Sequence, residues 1–187
     1  MKTFFNFIFA ALLILTLNLS IAAPAEAHLM RAQHGTLNIV DNVVFMALSL
    51  PLSAFSGVDE NQDGKVSMLE FNRHRAAITA RIKDTITLND NNEKLELKDL
   101  LLSPVRPHDK EKQGMTQLAV MGKFALTEPS RQLRFNSTIY GKGEKEQVLK
   151  ITAIRKPNKQ KHVFSINPAS TSMELFNHRS HPENLEQ

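Results

Sequence analysis

The chain has 187 residues, contains no cysteine, and carries 23 Lys and Arg against 19 Asp and Glu, which gives a formal net charge of +4. The absence of cysteine excludes disulfide frameworks, thiolate zinc sites, iron–sulfur clusters and cysteine nucleophiles. The basic residues are scattered, Trp is absent and Tyr occurs once, so the dense basic stripe with interleaved aromatics of a nucleic-acid binder is missing. We therefore expect no nucleic-acid partner.

Residues 1–27 have the pattern of a secretory signal peptide. Lys2 supplies the positive charge, an apolar run covers residues 4–19, and residues 25–27 form an A-x-A cleavage site. The alternative is an uncleaved membrane anchor, but polar residues interrupt the apolar run. We expect cleavage after Ala27, no membrane span after signal removal, and a periplasmic or secreted location.

Cleavage after Ala27 would make His28 the amino-terminal residue. Its amino group and imidazole could chelate a copper or nickel ion, and His34 or His108 could add a ligand. A chain that begins in this way resembles secreted copper-carrier sandwiches. The alternative function is therefore a transition-metal binding or delivery protein, and the competing interpretation is a solvated terminus.

The first predicted strands cover residues 36–40 and 43–50 and flank Asp41 and Asn42, which suggests a two-residue hairpin turn. Residues 43–48 are apolar on both alternating faces of the second strand. Such a strand is expected to be covered on both sides, by an opposing sheet on one side and by the following helix on the other.

Residues 59–70 match the calcium loop D-x-[DN]-x-[DN]-G-x5-E at every specified position. Calcium is a hard cation that takes about six to eight oxygen ligands, and Gly64 permits the sharp turn at the sixth loop position. A turn alone would not need a Glu six residues after the Gly. The candidate ligands are Asp59, Asn61, Asp63, Lys65 through its backbone carbonyl, Ser67 directly or through water, and Glu70 with both carboxylate oxygens.

The loop and the helix after it resemble the EF-hand family, which implies Ca²⁺ as the bound ion. The entering helix does not match, because Pro51 and Gly57 leave room for a short helical turn at most. The sequence also has no second loop. A single unpaired loop predicts weak affinity, in the range of about 10⁻⁴–10⁻³ M, and a structural rather than a regulatory site.

The helix is predicted over residues 67–83, with Met68, Phe71, Ile78 and Ile82 on one apolar stripe that faces the core. Further predicted strands cover residues 85–88, 94–102, 116–127, 131–140, 147–155, 161–167 and 170–176. Residues 89–92 are predicted to form a turn, residues 103–114 an exposed loop, and residues 177–187 a disordered tail.

About nine short strands with regular turn signals predict a mainly β fold, an antiparallel immunoglobulin-like sandwich over residues 28–176 with the EF-hand insert at 53–83. Hydrolase, zinc-peptidase and phosphate-loop motifs are absent from the sequence, so no enzyme is predicted. The predicted function is calcium binding by a single EF-hand in a secreted or periplasmic sandwich that serves as a structural or binding module.

Residues 48–55, followed by one EF-hand, resemble uncharacterised bacterial periplasmic proteins. Some of those proteins resemble the outer domains associated with nickel/cobalt permeases. The resemblance implies an envelope or metal-transport protein as a partner.

Overall fold

Short strands separated by tight turns make up most of the computed structural model, which describes residues 32–105, 114–127 and 132–176. The elements in that part of the chain are β1 (His34–Val40), β2 (Val43–Pro51), α1 (Met68–Thr85), β3 (Ile86–Asp90), β4 (Glu93–Leu95), β5 (Lys98–Val105), β6 (Gln117–Ala125), β7 (Leu133–Ser137), β8 (Leu149–Arg155), β9 (Gln160–Ile166) and β10 (Ser172–Leu175). One-turn 3-10 helices lie at Leu52–Ala54 and Glu144–Glu146. The predicted signal peptide 1–27 and the predicted tail 177–187 lie outside the described residues.

The strands form two open sheets. One has six strands in the order β5-β6-β2-β1-β8-β9, and the other has four in the order β10-β7-β3-β4. Buried apolar side chains from both sheets and from α1 belong to a single core. For the described residues, the prediction of a mainly β fold with one α-helix is therefore confirmed, and two sheets around one core are compatible with a sandwich.

The larger sheet is not purely antiparallel, so that part of the prediction was wrong. Strand β1 pairs with β8 in parallel, with Thr36 opposite Thr152 and Asn38 opposite Ile154. A parallel pair needs a long crossover between its strands, and here the crossover contains α1 and most of the second sheet. Local patterns in β1 or β8 carry no signal of this distant pairing.

Both tight turns that the sequence predicted are present. Strands β1 and β2 join through Asp41 and Asn42, with Val40 opposite Val43 and Asp41 at a φ of 50°. Strands β3 and β4 join through Asn91 and Asn92, which both have positive φ. Asn and Asp tolerate this left-handed conformation better than other side chains, which explains their place in the two hairpins.

The expectation that β2 is covered on both faces was wrong. Met46 and Leu48 point into the core, but Phe45 on the opposite face is 48% exposed. An apolar strand pattern shows which side chains avoid water, but not whether the same chain provides a cover for each face.

The segment after the second hairpin also differs from prediction. Instead of one strand over 94–102, β4 and β5 lie in different sheets, because the chain changes sheet after Leu95. Residues 103–105, predicted to begin an exposed loop, extend β5, and Pro104 lies opposite Leu118. Proline is tolerated there because β5 is an edge strand. Residues 106–113 lie outside the described part of the chain.

Helix α1 connects the larger sheet to the smaller one and packs with Phe71, Ile78 and Ile82 buried, as predicted. Met68 is exposed, contrary to prediction, because the first helical turn lies at the end of the apolar stripe, next to the polar loop. No helix in the described segments is both long and apolar enough to cross a lipid bilayer.

Candidate metal-binding site

The candidate loop, residues 59–70, follows the one-turn helix Leu52–Ala54 and ends in the first turn of α1, and buried apolar residues anchor it. Val58 and Val66 are buried in the core. Val66 also forms an antiparallel bridge with Met115, in which each backbone N–H donates to the other residue's carbonyl at 2.9 and 2.8 Å. The loop is therefore fixed to the segment that leads into β6.

The loop's own carboxylates satisfy its backbone donors. The N–H of Gly64 donates to Asp59 Oδ2 at 2.9 Å, and the N–H of Asp63 donates to Asp59 Oδ1 at 3.2 Å. The N–H of Lys65 donates to Asp63 Oδ1 at 2.9 Å. Gly64 has a φ of 80°, a conformation that glycine adopts without the cost of a Cβ. Together these contacts give the loop its sharp turn at Gly64.

The carboxylate of Glu70 accepts hydrogen bonds from two backbone N–H groups. Ser67 caps α1, and the two residues form a capping box in which the N–H of Glu70 donates to Ser67 Oγ and the N–H of Ser67 donates to Glu70 Oε2. The N–H of Glu60 donates to Glu70 Oε1 at 2.9 Å. Hydrogen bonding to the side chain of Ser67, and then to the backbone N–H groups of Ser67 and Glu60, lowers the pKa of Glu70 to about 2.

The structure brings most of the predicted ligand residues to one place. An open hollow of about 640 Å³ is lined by Asn61, Asp63, Lys65, Ser67 and Glu70. Asp59 instead lines a neighbouring hollow, together with Gln62 and Gly64. Among the described residues, no group of three His, Asp or Glu side chains is arranged to hold a metal ion.

The donor set nevertheless has the chemistry of a hard-cation site, because every candidate ligand atom is an oxygen. A carboxylate oxygen that accepts one backbone hydrogen bond retains a second lone pair, so the contacts of Asp59 and Glu70 leave both side chains able to bind a cation. The structure differs from a completed site because these two carboxylates and that of Asp63 do not form a group of three arranged to hold a metal ion.

The structure contains a contact between the loop and the helix that the sequence did not predict. Glu60, at a loop position with no ligand role, accepts a hydrogen bond from Arg73 Nη1 at 2.6 Å, and its other oxygen lies 2.9 Å from His74 Nε2. These pairs span 13 and 14 residues, so no local spacing rule identifies them. They are partly exposed, and exposed ion pairs of this kind each contribute about 1 kcal/mol or less.

Of the histidines in the alternative metal site, His34 lies within the described residues. His34 begins β1, and its Nδ1 lies 2.8 Å from the carbonyl oxygen of Ala32. His28 and His108 lie outside the described residues.

No protein-family model matches the chain, and no curated protein matches it.

The lowered pKa of Glu70 predicts an acid-sensitive contribution to stability. Its carboxyl has a pKa of about 2 in the folded chain against an ordinary value of 4.5, so folding favours the ionised form. The contribution is fully present above pH 4.5 and is lost as the pH falls toward 2. We expect the difference in unfolding free energy between the wild type and Glu70→Gln, measured by urea titration, to shrink across this window. A difference that stays constant would contradict the assignment.

Proposed function

We propose that this protein binds one calcium ion in residues 59–70, as a single EF-hand in a secreted or periplasmic protein whose role is structural rather than enzymatic. The observation that carries the proposal is the set of oxygen donors at calcium-loop spacing, in a backbone that already turns at Gly64 with a φ of 80°. A helix cap accounts for Glu70 alone, whereas a calcium loop accounts for the residues at every specified position of the motif.

The described geometry suggests how the ion would be held. The hollow is already lined by Asn61, Asp63 and Lys65. The first two would bind the ion through side-chain oxygens, and Lys65 through its backbone carbonyl. Glu70 already lines the same hollow, and Asp59 would turn toward it, so that the two carboxylates complete the ligand set, with Ser67 bound directly or through water. Calcium supplies two positive charges, which would relieve repulsion among the three carboxylates.

Three features support a structural role over a switch. Val66 is bridged to Met115, so the loop is fixed to the segment before β6. Phe71, directly after Glu70, is buried in the core shared by both sheets. One helix leaves the loop, whereas sensor EF-hands open a pair of helices. Calcium in this loop would stabilise the start of α1 against the sheets.

Two finer proposals accompany this one. The two sheets and their common core support a sandwich, and we propose the immunoglobulin-like type for it, modified by the parallel pair of β1 and β8. Because residues 48–55 resemble those of bacterial periplasmic proteins, we also propose an envelope or metal-transport protein as the partner.

Calcium is expected to raise the thermal stability of the purified protein. At a calcium concentration ten times the dissociation constant, linkage adds about 1.4 kcal/mol to the unfolding free energy. The measurement is thermal unfolding in EDTA and then in calcium, with magnesium, copper and nickel in parallel. A shift with calcium alone supports the proposal. A shift with copper or nickel and none with calcium would contradict it and favour a site at His28.

A further inference from the structure

The two ends of the candidate loop have unequal support from the fold. On the entry side, the one-turn helix Leu52–Ala54 is followed by turns and bends at residues 55–58, and Gly57 has a φ of 79°. On the exit side, Glu70 lies in the first turn of α1, an 18-residue helix with buried side chains in the shared core. The entry side therefore needs another contact to fix its position relative to α1.

Glu60 provides this contact through both its side chain and its backbone. One carboxylate oxygen accepts a hydrogen bond from Arg73 Nη1 at 2.6 Å, and the other lies 2.9 Å from His74 Nε2. The N–H of Glu60 donates to Glu70 Oε1 at 2.9 Å. Arg73 and His74 lie one helical turn after Glu70, so all three contacts join Glu60 to the start of α1. We call Glu60, Arg73 and His74 the loop clamp.

The loop clamp borders the hollow of the candidate site. Glu60 and Arg73 line this hollow together with Asp63 and Glu70. The second position of the calcium loop is unspecified in the motif, so the carboxylate of Glu60 binds α1 without removing a ligand from the site. The clamp therefore lies beside the predicted ligands and leaves their oxygens available.

We infer that the loop clamp positions the entry side of the loop for calcium, by holding it at a fixed distance from Glu70, the last predicted ligand. This inference rests on the proposed function. A loop that must be ordered when its ligand binds loses affinity, and a contact that orders the loop beforehand reduces that loss. The clamp thereby compensates for the entering helix that the sequence lacks. Glu60, Arg73 and His74 are positioning residues and not ligands.

Arg73 distinguishes positioning from a simple effect of charge. Loss of the negative charge of Glu60 would weaken calcium binding under either explanation. Loss of the positive charge of Arg73 would strengthen calcium binding if charge alone mattered, because like charges repel. If the clamp positions the loop, the same loss weakens calcium binding. The two explanations therefore predict opposite signs for Arg73→Gln.

Calcium titrations followed by the NMR shift of the Gly64 amide test the clamp. We expect Glu60→Gln and Arg73→Gln each to raise the calcium dissociation constant about threefold, the size expected for an exposed ion pair. The double variant should be no weaker than Glu60→Gln, because both substitutions break the same contact. Arg75→Gln is the matched control, since Arg75 is exposed on the same helix and lies over the Phe71 ring. Its dissociation constant should not rise.

Amide hydrogen exchange in EDTA provides a readout that needs no calcium. Residues 60–65 should exchange about threefold faster in Glu60→Gln and Arg73→Gln than in the wild type, because less of the loop is held in place. Exchange in these residues should be unchanged in Arg75→Gln, and the β1–β2 hairpin should be unchanged in every variant.

The possible outcomes separate this inference from the proposed function. A wild type that binds no calcium would refute the proposed function and the positioning role together. A wild type that binds calcium, with tighter binding in Arg73→Gln or with losses that multiply in the double variant, would overturn the clamp alone. Equal exchange of residues 60–65 in all the proteins would also overturn it.

Discussion

Substitution of Glu70 by Gln is expected to abolish the calcium-dependent rise in thermal stability. Gln offers one neutral oxygen where the loop needs two charged ones, so the last ligand of the calcium loop is lost. At calcium ten times the wild-type dissociation constant, the variant should lose the linkage contribution of about 1.4 kcal/mol. The measurement is the difference in unfolding temperature between calcium and EDTA for each protein.

This substitution separates metal binding from helix capping. Gln is accepted at the third position of a capping box, so the contact with Ser67 Oγ through the backbone N–H is preserved. Lys65→Ala is the matched control, because only the backbone carbonyl of Lys65 is assigned to calcium. Its calcium shift should equal that of the wild type. A full shift in Glu70→Gln would refute the loop assignment, and an affinity loss of about tenfold in Lys65→Ala would refute the carbonyl role.

Phe71→Ala is expected to have the largest effect on the fold itself. Phe71 is 1% exposed and belongs to the core that both sheets share. Removal of a buried phenyl ring costs about 3–5 kcal/mol, through lost burial and the cavity that remains. Because a typical domain has only about 5–15 kcal/mol of stability, this variant should unfold at much lower urea concentration, which equilibrium urea titration measures.

Leu69→Ala provides the comparison for Phe71→Ala on the same helix. Leu69 is 61% exposed, and alanine is a slightly better helix former, so we expect a change within about 0.5 kcal/mol. If both substitutions cost the same, α1 does not pack on the core as described. The contrast also tests the apolar stripe of α1, of which Phe71 is the first buried member.

Local rules predicted the parts of the fold that depend on neighbouring residues. The two hairpins follow from Asp and Asn at turn positions, and the buried face of α1 follows from the spacing of Phe71, Ile78 and Ile82. The pairing of β1 with β8 and the bridge between Val66 and Met115 could not be predicted, because both join segments distant in sequence. The exposed Phe45 was missed because an apolar pattern does not distinguish a buried face from a face left uncovered.

The candidate site shows the same limit. The spacing of residues 59–70 predicted which side chains supply oxygen, and five of the six line one hollow. It could not predict that Glu70 would accept hydrogen bonds from Ser67 and Glu60. A glutamate at that position suits both a calcium loop and a capping box, although the capping box also accepts glutamine. The sequence alone therefore does not decide which partner the carboxylate takes.

The parallel pairing of β1 with β8 has a consequence for the order in which the chain folds. Strand β1 ends at Val40, and β8, its neighbour on the side away from β2, begins only at Leu149. More than half of the chain must therefore be synthesised between these two strands before the larger sheet can be completed. Until then the β1–β2 hairpin presents an unpaired edge, the kind of edge that recruits strands from other chains. Non-local pairing of this kind slows folding. A chaperone that binds this edge would therefore protect the chain from aggregation in the period before β8 pairs with β1.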